Sequence, residues 1–180
     1  MTEKPGGQKP GADPADIHEI QQVLYRYALA VDSREYDLLD ECFTKDASFQ
    51  MADAGTFTVE EYKELCRKVL PTLDVTQHVV SNAAIRVMGG RALSRSYFVA
   101  QHARNDLRPA PFLKIGGYYD DEFSKTAGGW RIAKRIGTST WYDGNPQVLG
   151  YGEPSGALKW TAQHGCPGWM RWAGARLGLG

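Results

Sequence analysis

Two acidic and basic side chains far apart in this chain have the types that make a general base. Asp32 closes the segment Tyr25-Arg26-Tyr27-Ala28-Leu29-Ala30-Val31-Asp32, and His78 stands in Thr76-Gln77-His78-Val79-Val80-Ser81-Asn82. A carboxylate that holds an imidazole fixes its tautomer and stabilises the imidazolium. The imidazole itself titrates near neutrality, so such a pair abstracts protons without a cofactor. Whether the two meet depends on the elements that carry them. His78 has no decisive alternation: its phase (Thr76, Val80, Asn82, Ala84, Arg86) is more polar than the opposite one (Val75, Val79, Ala83, Ile85, Val87). A polar phase suits a pocket, a subunit contact or water.

Other candidates are weighed beside this pair. His102 shares its strand phase with Ser94, Ser96, Phe98 and Ala100, a mixed face that suits a pocket wall. It is read as either a second acid/base group or a structural hydrogen bonder. His18 and His164, in the opening helix turn and the tail, are read as surface residues. Tyr27 lies only loosely on the side of Asp32, and its phenol would either polarise a substrate oxygen or pack in the core. Tyr118, Tyr119 and Trp141 are candidate aromatic walls of a substrate pocket, while Lys134 and Arg135 are expected to be solvated. Asp120-Asp121-Glu122 alternates across a strand, so no metal site is expected; Gly116-Gly117 lacks the spacing of a phosphate loop.

The elements that must position these residues fall into two runs. A first helix is predicted from about Pro14, capped by Asp13 or Asp16, with Ile17, Ile20, Val23, Leu24, Tyr27 and Val31 at spacings of three and four. A second helix is predicted from about Ser33 to Cys42, a short strand over Ala47 to Met51, and a third helix from Thr58 to Leu70. Thr58 and Glu61 form a capping box there, and Pro71 stops the helix. Four long segments rich in β-branched and aromatic residues follow: Val75 to Met88, Arg91 to Asn105, Leu113 to Ser124 and Trp130 to Trp141. Gly89-Gly90 and Gly128-Gly129 turn between them. The plan is α+β, three helices packed on a strongly curved, mostly antiparallel sheet that can enclose a pocket.

Bulk properties narrow the partners. The 180 residues carry 21 basic and 21 acidic side chains, a formal net charge of zero, and no charge block suited to nucleic acid or an anionic membrane. Small molecules and further copies of the chain are the expected partners. No apolar run approaches a membrane span, and Met1 to Pro14 has no signal-peptide core, so a cytoplasmic location is expected. Cys42, Cys66 and Cys166 form no CxxC pair and are read as reduced thiols. Three regions are expected: a disordered tail over 1–14, one α+β domain over 15–144, and an ordered extension over 145–180. The extension carries Trp160, Trp169, Met170 and Trp172, with a short helix expected from Pro167 to Leu177.

The helix ending in Asp32, the Thr-Gln-His at 76–78 and Ile115-Gly116-Gly117-Tyr118-Tyr119-Asp120-Asp121-Glu122-Phe123 with Gly129-Trp130-Arg131-Ile132 carry a family likeness. Over about residues 15–142 the chain resembles the SnoaL-like group of the nuclear transport factor 2-like superfamily, a cone-shaped α+β barrel. Within it the chain looks most like the scytalone dehydratase and hexachlorocyclohexane dehydrochlorinase families. That resemblance implies a lyase without cofactor or metal, with Asp32 and His78 at the places of an aspartate-held histidine base. Val99-Ala100-Gln101-His102 resembles the strand with a second pocket histidine. Two departures point to a different substrate. The serine and asparagine of the dehydratase strand correspond to about Gly117 and Tyr119. The dehydrochlorinase arginine corresponds to about Thr138, with Arg135 a substitute only if the register shifts.

The resemblance therefore implies elimination of water or formaldehyde from a small hydroxylated aromatic or alicyclic compound, in a homodimer or homotrimer. The scaffold also serves isomerases and non-catalytic assembly modules, so proton transfer within one substrate and simple ligand binding stay open as alternatives.

Overall fold

The computed structural model describes residues 12–51 and 55–150. Helix α1 spans Pro14–Ser33. Asp13 caps it by accepting the Ala15 amide, and Pro14 sits where a missing N–H costs nothing. Ile20, Val23, Leu24, Tyr27 and Val31 form its buried stripe, and Arg34, at φ 62°, ends it in the left-handed region. The predicted second helix over Ser33–Cys42 is not α-helical. α1 itself runs to Ser33, and a 3-10 turn covers Tyr36–Glu41. Tyr36, Leu39 and Cys42 are buried and recur every three residues, the repeat that a 3-10 turn aligns on one side.

Strand β1 spans Phe43–Met51 and starts earlier than expected, and β2 spans Gly55–Thr58. β2 was not foreseen, since its four residues carry no readable alternation. Helix α2 spans Val59–Val69 and begins with the expected capping box: Thr58 Oγ1 accepts the Glu61 amide, and the Glu61 carboxylate accepts the Thr58 amide. The 3-10 turn Leu70–Thr72 then leads into the sheet. Strands β3 (Val75–Met88), β4 (Arg91–Ala103), β5 (Phe112–Thr126) and β6 (Gly129–Gly144) form the expected antiparallel meander.

The meander is the larger part of a six-stranded mixed sheet, ordered β2-β1-β6-β5-β4-β3, in which β1 runs parallel to β6. Among the described residues the sheet is open, with β2 and β3 at its edges. It is nonetheless curved: α1 packs on both β3 and β6, which have β4 and β5 between them. Extra residues in β3 and, at two places, in β6 supply the bends.

One bulge settles the alternation of β3. Pairing is regular to Ser81↔Tyr97 and resumes at Ala84↔Arg95, with Asn82 at φ 50° inside the irregularity. An extra residue there swaps faces. Thr76, His78 and Val80 therefore point inward before the bulge, and Ala83, Ile85 and Val87 point inward after it. The last three, with Val80, pack against the core, whereas Val75 and Val79 are exposed. Among the described residues no helix is long and apolar enough to cross a membrane.

The expected tail up to Gly11, and the tryptophan-bearing stretch beyond Gly150 with its helix over 167–177, lie outside the described residues. Asn145 caps a 3-10 turn over Pro146–Leu149 that packs on β4 and β5, and Val148 is buried in the core.

Candidate active site

α1 and β3 bring Asp32 and His78 together. Asp32 stands in the last turn of α1, and Arg34 fastens that end by donating from Nη2 to the Leu73 carbonyl at 2.7 Å, just before β3. Asp32 Oδ2 accepts the His78 backbone N–H at 2.7 Å, and Oδ1 lies 2.7 Å from His78 Nδ1. An ionised carboxylate only accepts hydrogen bonds, so Nδ1 carries a proton, and in the neutral form of the ring the lone pair is the one on Nε2. One carboxylate thus holds both ring and backbone of one histidine. The two side chains are 11% and 23% exposed, for His78 and Asp32 respectively, so the dyad is sheltered but reachable.

His102 joins them from β4. Its ring centroid is 5.6 Å from that of His78, edge to face, and Thr76 Oγ1 lies 3.0 Å from its Nδ1. Burial, and then the neighbouring His78, push His102 down to about 4, with Asp32 working the other way. His102 is therefore neutral at physiological pH and acts as a hydrogen-bonding group rather than a standing acid.

The sheet register sorts the remaining candidates. His78, Ala100, Ile115 and Tyr142 form one inward row, and Val80, Phe98, Gly117 and Ser139 the next. Beyond it Tyr119 stacks on Phe98 at 4.5 Å and meets Tyr27 edge to face at 5.6 Å. Tyr119 and Tyr27 thus continue the wall that starts at the dyad, but deep in the core, where the Tyr27 and Tyr62 hydroxyls lie 2.7 Å apart. Burial pushes all three phenols up, so they stay protonated. Tyr118 and Trp141 are not brought to the dyad. Both lie on the outer face, Tyr118 under the Arg95 guanidinium and Trp141 across Gly116, where a Cβ would lie 2.0 Å from the indole. Their types suited a pocket, but the strand parity turns them away.

Arg135 overturns its expected solvation. It is fully buried, donates to Asp121 through Nε and Nη2 at 2.7 and 2.8 Å, and lies between the Tyr27 and Tyr119 rings at 4.1 and 4.2 Å. Asp121 opposes the proton loss that burial would favour in Arg135. Thr138 pairs with outward Tyr118, so an inward arginine on β6 comes from position 135, three residues earlier. Asp120, one residue from Asp121, holds Arg95 on the outer face. From Ala100, beside His78, to Ser94, beside Asp121, is six residues of β4, about 20 Å of strand. Arg135 Nη1 and the hydroxyls of Ser94 and Ser96 are buried with no partner among the described residues. Sequence patterning noted the serine phase, whereas the Asp121–Arg135 pair has no local signal. The thiols of Cys42 and Cys66 are free, buried and pushed up to about 11 by that burial, which makes them poor nucleophiles; Cys166 lies outside the described residues.

Residues 13–136, more than half of the chain, match the SnoaL-like domain. The chain belongs to the SnoaL-like family. An uncharacterised protein of Mycobacterium tuberculosis is 35% identical over 130 residues, which cover 71% of this SnoaL-like chain and 87% of that relative. Among solved structures, a type 2 hexachlorocyclohexane dehydrochlorinase superposes with a TM-score of 0.66 at 19% identity, over 78% of this chain and 96% of that one. A candidate scytalone dehydratase of Novosphingobium aromaticivorans gives 0.65 at 22% identity, over 77% and 96%. At these identities the likeness to both structures is one of fold.

Proposed function

We propose that this SnoaL-like protein is a cofactor-independent lyase, of dehydratase or formaldehyde-eliminating type, acting on a small hydroxylated aromatic or alicyclic compound. The observation that carries the reading is the Asp32 carboxylate shared between the ring and the backbone of His78. It leaves Nε2 as a fixed acceptor in a half-sheltered site, the geometry of a positioned general base. The dehydrochlorinase and dehydratase names of structurally similar proteins support the same class.

In the dehydratase form, His78 Nε2 takes a proton from carbon. The C–H electron pair becomes the new C=C bond, the C–O bond breaks, and the proton passes to the departing hydroxide, which leaves as water. In the formaldehyde form the base takes a hydroxyl proton, the oxygen becomes a carbonyl, and the C–C bond breaks to a carbanion that is reprotonated. Neutral His102 would serve as a hydrogen-bond donor to the oxygen that gains charge. Phe98, in the inward row next to His78, supplies an apolar face for a ring, with Tyr119 stacked behind it in the core. We also assign self-association to the outer face, where Val75, Val79, Tyr97, Val99, Phe112 and Trp141 are exposed.

The test is turnover of a panel of hydroxylated aromatic and diaryl compounds without added metal or cofactor, wild type beside His78→Ala, with products resolved by mass. A product lighter by water or formaldehyde, formed by wild type alone, supports the lyase. Products isobaric with substrate would replace it with an isomerase. Binding without turnover, unchanged by His78→Ala, would replace it with a non-catalytic module.

A further inference from the structure

Thr76 belongs to no catalytic or substrate-binding group described so far, yet its hydroxyl sits on the one nitrogen that decides what His102 offers the pocket. Thr76 and His102 are directly paired across β3 and β4, both on the inner face, and Thr76 Oγ1 lies 3.0 Å from His102 Nδ1. Thr76 is also two residues before His78, on the same face of the same strand. One β-strand therefore carries the base and the group that touches the second histidine.

We propose that Thr76 is a positioning residue: its hydroxyl donates to His102 Nδ1 and so fixes His102 as the Nε2–H tautomer, making it a hydrogen-bond donor beside the acceptor Nε2 of His78. Two arrangements of the Thr76–His102 contact are open to a neutral imidazole. If Nδ1–H donated to Thr76, the hydroxyl proton would have no acceptor among the described residues, since Oγ1 has His102 Nδ1 as its side-chain partner. Leaving a half-buried hydroxyl proton unmatched costs free energy. If the hydroxyl donates, its proton is satisfied, and the imidazole proton moves to Nε2. Neutrality of His102 follows from its burial and from His78 nearby.

The consequence deepens the lyase reading and rests on it. His78 has its Nδ1 proton fixed by Asp32 and presents a lone pair, whereas His102 has its Nδ1 lone pair fixed by Thr76 and presents a proton. Two histidines whose rings are 5.6 Å apart are thereby made unlike, one to take a proton and one to support the oxygen that leaves or gains charge. Asp32 and Thr76 do opposite jobs at the equivalent nitrogen of each ring because a carboxylate can only accept while a hydroxyl can donate.

The experiment is long-range ¹H–¹⁵N correlation spectroscopy of full-length, histidine-labelled protein at neutral pH, for wild type, Thr76→Val and Thr76→Ser, with His102 assigned by His102→Asn. Expected is the Nε2–H pattern for His102 in wild type and Thr76→Ser, and a mixed or Nδ1–H pattern in Thr76→Val. A wild-type His102 protonated at Nδ1 would overturn the proposal, as would a Thr76→Val protein that keeps the wild-type pattern. These readings need no turnover, so they stand apart from failure of the lyase assignment. On a substrate found by the panel, Thr76→Val should lower kcat about tenfold, the scale of one lost hydrogen bond, with KM little changed, and Thr76→Ser should restore it. A fall in Thr76→Ser equal to that in Thr76→Val would also count against the proposal.

Discussion

Asp32 occupies a position that helix electrostatics disfavours. It sits in the last turn of α1, at the negative end of the helix dipole, where a carboxylate costs about 0.3–1 kcal/mol; the turn itself holds no basic residue, and the nearest is the C-cap Arg34. His78 supplies two N–H donors in return. Asp32→Asn keeps the size of the side chain but can accept through only one atom, so the His78 tautomer is no longer enforced. We expect kcat to fall roughly 10³-fold or more while stability changes by no more than about 1 kcal/mol. Activity assays beside urea unfolding check both, and a variant that keeps activity would remove Asp32 from the mechanism. His102 makes a separate prediction. Its folded pKa of about 4 lies below the ordinary 6.5, so on acidification the unfolded chain takes up this proton first. The corresponding stability is complete above about pH 6.5 and is lost as pH falls towards 4, up to about 3 kcal/mol. Urea unfolding at a series of pH values should show a shallower decline in His102→Asn than in wild type; parallel curves would contradict it.

At the scale of elements, the bulge in β3 decides which residues join the core. With Asn82 at φ 50°, the strand presents His78 inward on one side of the irregularity and Ile85 and Val87 inward on the other. A regular strand would send either the histidine or the two apolar residues to the opposite face. Asn tolerates the left-handed region better than a β-branched residue. Asn82→Val should therefore lower stability by about 1–2 kcal/mol in urea unfolding, and Asn82→Gly should change it far less. Equal effects of the two substitutions would show that the conformation at Asn82 is not what sets the register. The two helices were legible to within a residue or so because their caps and stripes are local. The 3-10 turn was not, because a six-residue segment with apolar side chains at spacing three satisfies both helix types on paper.

For the whole molecule, the sheet has two unlike faces. The inner one carries the dyad, the aromatic wall and the buried Asp121–Arg135 pair, and the outer one exposes Val79, Val99 and Trp141 along one row, with Gly116 buried beneath the indole. Exposed apolar side chains on a sheet mark an interaction face, and the proposed self-association would cover them. Sedimentation is expected to show a dimer or trimer, and Val99→Lys should shift it towards monomer without touching the dyad. A wild-type monomer, or an unchanged variant mass, would refute that use of the face.

The sequence by itself determined the α+β order of elements, the capping box at Thr58 and the turns, and the family motif that singled out Asp32, His78 and His102. All of these rest on neighbours a few residues apart or on a pattern carried intact along the chain. Only the tertiary structure decided which face each strand residue uses. A single extra residue in a strand inverts that choice, and the partner strand fixes where the extra residue sits. Tyr118 and Trp141 were therefore assigned to a pocket from their chemistry and belong to the other side of the sheet. Arg135, unpromising as one basic residue beside Lys134, proved to be buried because Asp121 and two tyrosine rings surround it there. Charge burial depends on partners brought from distant strands, and no local spacing records them.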